Sequence, residues 1–202
     1  MSKRYPIPAG ESRIELQVKN SRFIGRAGYT PSVEAAKAFI EKIKNEEPGA
    51  SHAVYAFAVG HGATVTHGMS DAGEPSGTAG KPALAVVKGS NLGDVAVVII
   101  RHFGGTKLGT GGLVKAYTET AQLALAELPV TEKIEYQSGQ ITIPYSLYEQ
   151  VKRLVEAYDG QIEAEDFAVE VTLKLTFTED NYPGFEADVA ELSNGQVTMQ
   201  RL

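Results

Sequence analysis

Two glycine-rich stretches dominate the middle of this sequence: SDAGEPSGTAGKP at residues 70–82 and RHFGGTKLGTGGLVKAY at residues 101–117. Together they hold eight of the 21 glycines of the chain. A glycine that is ordered inside a helix or a strand costs about 0.5–1 kcal/mol relative to alanine. Two clusters therefore indicate backbone that turns sharply or that approaches another group closely.

The sequence next to these stretches predicts a strand and two helices. The second stretch follows the continuous apolar run at residues 95–100, which is typical of a central buried strand. Apolar side chains then recur at helical spacing over residues 113–128. The first stretch ends in proline, which suits the first turn of a helix, so residues 82–88 predict a short helix.

Upstream, Thr30 is predicted to cap a helix that has Pro31 at its first position. The surrounding alternation of apolar and polar residues predicts strands at residues 13–19, 21–25, 52–59 and 63–67.

A polar segment at residues 129–136 is predicted to be a linker, and the pattern changes beyond it. Ser146 and Glu149 have the spacing of a capping box, which predicts the start of a helix. The remaining strands and helix complete a βαββαβ order, the ferredoxin-like arrangement. The sequence therefore predicts an α+β fold with two domains.

Composition is typical of a globular protein, with 43% hydrophobic and 22% charged residues. The chain has no cysteine, which excludes disulfides and thiolate chemistry. The first residues, MSKRYPIPAGESR, lack the apolar core of a signal peptide, and no apolar run approaches the roughly 18 residues of a membrane span. We therefore expect a cytoplasmic protein with no membrane span.

Charge is distributed unevenly along the chain. Residues 1–130 contain 14 Lys and Arg against 11 Asp and Glu, a net charge of +3. Residues 131–202 contain 5 against 14, a net charge of −9. This asymmetry predicts two units with different surfaces. The acidic half is expected to aid solubility, to limit nonspecific binding or to hold a protein partner.

Neither glycine-rich stretch is a known nucleotide-binding motif. A P-loop would need glycine where Pro75 stands and a hydroxyl where Pro82 stands. A dinucleotide fingerprint beginning at Gly109 would need a third glycine where Val114 stands.

A more general anion site remains, because a helix N-terminus presents free N–H groups and the positive end of the helix dipole. The alternative is that the glycines only shape tight turns beneath a packed helix. The predicted anion-binding residues are Arg22, Lys81, Arg101, His102, Lys107, Gly109, Gly111, Gly112 and Lys115.

Asp71 and Glu74 are the candidate catalytic residues, as an acid–base pair or as metal ligands. Asp-Ala-Gly is also an ordinary turn sequence, which favours a structural role for Asp71. His61 and His67 have no nearby partner in sequence, so we predict neither a metal site nor a cofactor.

Four motifs resemble the IMPACT family, in particular its bacterial members. They are SRFIG at 21–25, SHAVYAF at 51–57 and the two glycine-rich stretches. The resemblance covers roughly residues 10–125, and the βαββαβ unit is similar to the extra domain of the bacterial members. His102 departs from the family, which has tyrosine or another aromatic residue at this position.

The resemblance implies an IMPACT-type domain at residues 1–130, similar to the second domain of ribosomal protein S5. Residues 137–202 are expected to form the ferredoxin-like domain, similar to the last domain of translocating elongation factors. It also implies a non-enzymatic protein that binds RNA or a ribosomal or other translation component. Two alternatives stay open: an enzyme acting on a small phosphorylated substrate, with Asp71 or Glu74 as base or metal ligand, and a protein-interaction module.

Overall fold

The computed structural model describes residues 4–202, which form two compact units. One unit spans Tyr5–Glu132, and the other is formed mainly by Lys133–Leu202. Each unit contains helices and strands, so the predicted two-domain α+β architecture is confirmed. The expected absence of a signal peptide rests partly on residues 1–3, which lie outside the described residues.

The first unit contains a sheet of five strands between helices. Its elements are β1 (Tyr5–Pro8), β2 (Ser12–Val18), β3 (Ser21–Tyr29), α1 (Val33–Glu46), β4 (His52–Val59), β5 (Thr66–Ser70), α2 (Gly80–Gly89), β6 (Val95–His102), α3 (Gly109–Ala126) and β7 (Val130–Lys133). The sheet has the order β2-β3-β6-β4-β5, and each neighbouring pair is antiparallel.

Strand β6 lies at the centre of this sheet, as its apolar sequence predicts. All six side chains from Val95 to Ile100 are fully buried, because helices cover both faces of the sheet. Val97 and Ile99 pack with α2 and α3, whereas Val98 and Ile100 pack with α1. Consecutive residues of β6 therefore face different helices, and this alternation continues to the end of the strand.

The second unit has the predicted βαββαβ order. Its elements are β8 (Tyr136–Ile143), α4 (Tyr148–Ala157), β9 (Gln161–Phe167), β10 (Val171–Thr178), α5 (Asn181–Leu192) and β11 (Gln200–Arg201). The strands form one antiparallel sheet in the order β11-β8-β10-β9. The apolar sides of α4 and α5 pack on the sheet around Phe177 and Phe185, which are fully buried.

Two predicted helix caps are wrong. Helix α1 begins at Val33, and its cap is Ser32, whose Oγ accepts a hydrogen bond from the N–H of Ala35 at 3.1 Å. Thr30 does not cap the helix, because its buried Oγ1 makes no hydrogen bond within the described residues. In the second unit, a short 3₁₀ turn at Tyr145–Leu147 comes first and α4 begins without a side-chain cap.

The predicted linker at residues 129–136 is also wrong in part. Strand β7 lies within it and pairs with β1 in a sheet of two strands. The N–H of Ala9 donates to the carbonyl of Pro129 at 2.7 Å, which ties this segment to the start of the first unit. Helices α2 and α3 begin earlier than predicted, so the glycines at 80, 109, 111 and 112 are helical residues.

Candidate anion-binding cleft

Asp71 organises the first glycine-rich stretch. Its carboxylate accepts hydrogen bonds from the backbone N–H groups of Gly77 at 2.8 Å, Ala79 at 3.0 Å and Gly80 at 2.8 Å. Burial alone would raise the pKa of Asp71, but these three N–H groups outweigh burial and hold that pKa below its usual value. The carboxylate thus takes the place of an anion at the N-terminus of α2. This arrangement favours the turn interpretation over a catalytic role.

Glu74 lies in a buried network that joins the two glycine-rich stretches. Its Oε1 accepts from Nη1 of Arg101 at 2.6 Å and from the hydroxyl of Tyr117 at 2.7 Å. Glu74 is 8% exposed and Arg101 is 4% exposed. Burial and the hydrogen bond to Glu74 raise the pKa of Tyr117, so its hydroxyl stays protonated and donates.

Arg101 therefore differs from the exposed phosphate contact that the sequence predicts. Its charge is balanced by Glu74, and its Nη2 donates to Ser21 Oγ at 3.3 Å. Its Nε is buried and has no hydrogen-bond partner within the described residues. The guanidinium lies between two rings, 5.4 Å from the centroid of Phe23 and 5.3 Å from that of Phe103.

A cleft of about 440 Å³ opens beside this network. The N-terminus of α3 forms one wall, and loop residues before it form another. The lining residues are His52, Glu74, Pro75, Arg101, Phe103, Lys107, Leu108, Gly109, Thr110 and Leu113. Both glycine-rich stretches thus contribute residues to one cleft.

The cap residue of α3, Leu108, makes no side-chain hydrogen bond to the helix. At the start of α2, in contrast, Asp71 from the preceding loop accepts from the N–H groups of Ala79 and Gly80. Gly109 has a φ of +75°, a left-handed conformation that favours glycine. A Cβ atom placed on Gly109 or Gly111 would meet no heavy atom within 4 Å. The first turn of α3 is therefore open to an incoming group.

The other predicted cations are divided among different surfaces. Arg22 and His102 are partners in the β3–β6 register and lie on the α1 side of the sheet, opposite to Arg101. Lys81 borders a separate groove between α2 and α3. Lys107 and Lys115 are exposed, but only Lys107 lines the cleft. The predicted set of cations is thus not brought together in one site.

Three residues of the site were not predicted from the sequence: Phe103, Thr110 and Tyr117. Phe103 and Thr110 lie within the second glycine-rich stretch, so their position next to the glycines was a usable signal. Tyr117 is fully buried and contacts Glu74, which lies 43 residues away in sequence, so no local signal indicates its role.

His52 also lines the cleft, and its Nδ1 is hydrogen-bonded to the carbonyl of Ala72 at 2.9 Å.

Across residues 4–202, no cluster of three or more His, Cys, Asp or Glu side chains is placed to hold a metal ion. In the same range, no helix combines the length and apolar character that a membrane span needs.

Comparison with known families identifies two domains in this chain. The domain described as "Impact N-terminal domain" matches residues 19–125. A domain of unknown function, DUF1949, matches residues 141–196. The first match contains both glycine-rich stretches and every residue that lines the cleft.

Similar proteins match over nearly the whole length. An IMPACT family member of Haemophilus influenzae is 37% identical over 199 residues, which cover 98% of this chain and 97% of that protein. The IMPACT family member YigZ of Escherichia coli is 37% identical over 194 residues, 96% of this chain and 95% of YigZ. A crystal structure of a hypothetical protein matches with a TM-score of 0.72 and 35% identity, covering 100% of this chain and 98% of the other.

Proposed function

The chain belongs to the IMPACT family, and we propose that its first unit binds RNA through phosphate groups held at the N-terminus of α3. The observation that carries this proposal is the uncapped first turn of α3, which opens into the cleft beside Lys107. Free backbone N–H groups and the positive end of the helix dipole favour an anion at such a position. In α2 the carboxylate of Asp71 already fills the equivalent position.

Arg101 supplies independent support for an anion at this place. Its side chain is 95% buried and lines the cleft, yet its Nε has no partner within the described part of the chain. A buried donor without a partner costs about 1–3 kcal/mol. The Nε itself is enclosed by protein, but the positively charged guanidinium lines the cleft and favours an anionic ligand over a cation.

The positions of the carboxylates favour binding over catalysis. Asp71 accepts three backbone N–H groups, and Oε1 of Glu74 accepts from Arg101 and Tyr117. A general base needs a carboxylate that is available to take a proton from a substrate. Both oxygens of Asp71 and Oε1 of Glu74 are instead engaged in structural hydrogen bonds, which favours a structural role for these carboxylates over the alternative of an enzyme acting on a phosphorylated substrate.

RNA is the ligand class that the family resemblance implies, including the RNA of the translation machinery. The net charge of +3 on residues 1–130 also favours a polyanion over a cationic partner. Because phosphate contacts position a nucleic acid without reading its bases, we expect modest affinity and little sequence preference.

The proposal is tested by fluorescence anisotropy of a labelled single-stranded RNA over a series of salt concentrations. With about three phosphates engaged, log K should fall against log salt with a slope near −2. Lys107→Gln should weaken binding and reduce the magnitude of the slope by about 0.7.

Lys37→Gln is the matched control, because Lys37 is an exposed lysine on α1, on the other side of the sheet. It removes the same charge and should change binding much less than Lys107→Gln. Binding that is insensitive to salt, or equal effects of the two substitutions, would contradict the proposal.

A further inference from the structure

Phe103 presents an aromatic ring on the wall of the cleft. The side chain is 46% exposed although it follows directly after the buried Arg101 and the half-buried His102. The Arg101 guanidinium lies over the ring at 5.3 Å from its centroid. One face of the ring is therefore covered by this cation, and nearly half of the side chain remains open to a ligand.

The backbone that carries this ring is anchored on both sides. The N–H of Phe103 donates to Ser51 Oγ at 3.2 Å, and the N–H of Gly104 donates to Ser21 Oγ at 3.3 Å. Gly104 also packs so closely that a Cβ atom there would collide with the carbonyl oxygen of Asn20. The ring is thus exposed on a fixed backbone, which lowers the entropy cost of binding a flat group against it.

We propose that the cleft holds one nucleotide of a single-stranded RNA, with its base stacked on the open face of Phe103 and its phosphate at the first turn of α3. This inference rests on the proposed function and specifies the ligand at the same site. The cleft volume of about 440 Å³ falls within the range of roughly 300–1,000 Å³ that is typical of small-molecule sites.

Single-stranded RNA fits this arrangement better than a duplex does. Bases inside a duplex are stacked on one another, whereas unpaired bases can be splayed out and stacked on aromatic side chains. Every base has a π face, so a single ring gives affinity without sequence preference. This agrees with the low sequence preference expected from phosphate contacts.

The test is an NMR titration of the full ¹⁵N-labelled chain with adenosine 5′-monophosphate, ribose 5-phosphate and inorganic phosphate. All three ligands should shift the backbone amides of Gly109, Thr110 and Gly111. Only the adenosine compound should also shift Phe103 strongly, and it should bind at least about fivefold tighter than ribose 5-phosphate.

Phe103→Leu should remove this advantage of the adenosine compound and leave binding of ribose 5-phosphate unchanged. Phe103→Trp should keep the advantage, since it retains a ring. Phe167→Leu is the matched control, because Phe167 is 52% exposed and lies in the second unit. It should change the affinity of neither compound.

The outcomes separate the two proposals. If the adenosine compound and ribose 5-phosphate bind equally, the stacking inference is wrong and the phosphate site stands. If Phe103→Leu weakens all three ligands alike, the ring supports the fold of the cleft and the inference is again wrong. If none of the three ligands shifts the amides of α3, the phosphate site itself is refuted, and the inference fails with it.

Discussion

Asp71 holds the first glycine-rich stretch in its folded conformation. Its carboxylate accepts from three backbone N–H groups, two of them at the start of α2. Asp71→Ala would leave these donors without a partner, and we expect it to lower the free energy of unfolding by about 2 kcal/mol. Urea denaturation of the full chain measures this change. An unchanged midpoint would show that the loop does not depend on the carboxylate.

The same contacts give the stability contribution of Asp71 a defined pH dependence. Its pKa in the folded chain is lowered, while an unfolded aspartate titrates near pH 4. The contribution is therefore fully present above about pH 4 and is lost as the pH falls through the lower folded-state pKa. Asp71→Asn cannot titrate, so the stability difference between this variant and the native chain should shrink on acidification. A difference that stays constant below pH 4 would contradict this assignment.

Asp71 and Arg101 show which residue roles could be predicted from sequence. The contacts of Asp71 reach only six to nine residues along the chain, so turn chemistry indicated its role. The partner of Arg101 lies 27 residues away, in the loop between β5 and α2. Charge and position in the sequence therefore suggested an exposed cation, whereas tertiary packing places Arg101 in a buried ion pair.

At the scale of elements, the glycines in the first turn of α3 affect both the stability of the helix and the binding of phosphate. Gly111→Ala should stabilise the helix by up to about 0.5–1 kcal/mol, because alanine has the higher helix propensity and its Cβ meets open space. The same Cβ would stand where a phosphate approaches the backbone. We therefore expect RNA binding to weaken by about two- to fivefold, in the opposite direction to stability.

Gly89→Ala is the matched control for this prediction. Gly89 is the last residue of α2, and a Cβ atom there also meets no heavy atom within 4 Å. Thermal unfolding and RNA anisotropy of both variants measure the two effects. Gly89→Ala should leave binding unchanged, and equal binding losses in the two variants would place the phosphate elsewhere.

Element type was predictable from sequence where periodicity was strong, and element ends were not. The buried strand β6 and the βαββαβ order of the second unit were predicted because each has a long, regular pattern of apolar residues. Thr30 was a plausible cap by residue type, but the helix begins only at Val33, so that Ser32 is the residue whose Oγ reaches the N–H of Ala35. The glycines of α3 have low helix propensity, so the sequence predicted a helix that begins after them. In the structure they form its first turn.

On the scale of the whole molecule, each unit has its own hydrophobic core. The first unit buries apolar clusters on both faces of its sheet, and the second buries one cluster between its sheet and two helices. The five-stranded sheet and the four-stranded sheet are each complete within one unit. We therefore expect a fragment that ends at Glu132 and one that begins at Lys133 to fold separately, the second with low stability because domains of about 70 residues bury a smaller share of their surface.

The division of charge between the units makes the same fragments a test of where RNA binds. Residues 1–132 carry a net charge of +2 and contain the cleft, whereas residues 133–202 carry −8. The N-terminal fragment should keep RNA binding. It should bind more tightly than the full chain if acidic side chains lie within about 8 Å of the bound phosphates, the Debye length at physiological salt.

Urea transitions establish that each fragment is folded, and anisotropy at one salt concentration compares both fragments with the full chain. If the N-terminal fragment is folded but does not bind while the C-terminal fragment does, the RNA site belongs to the second unit and the cleft has another role.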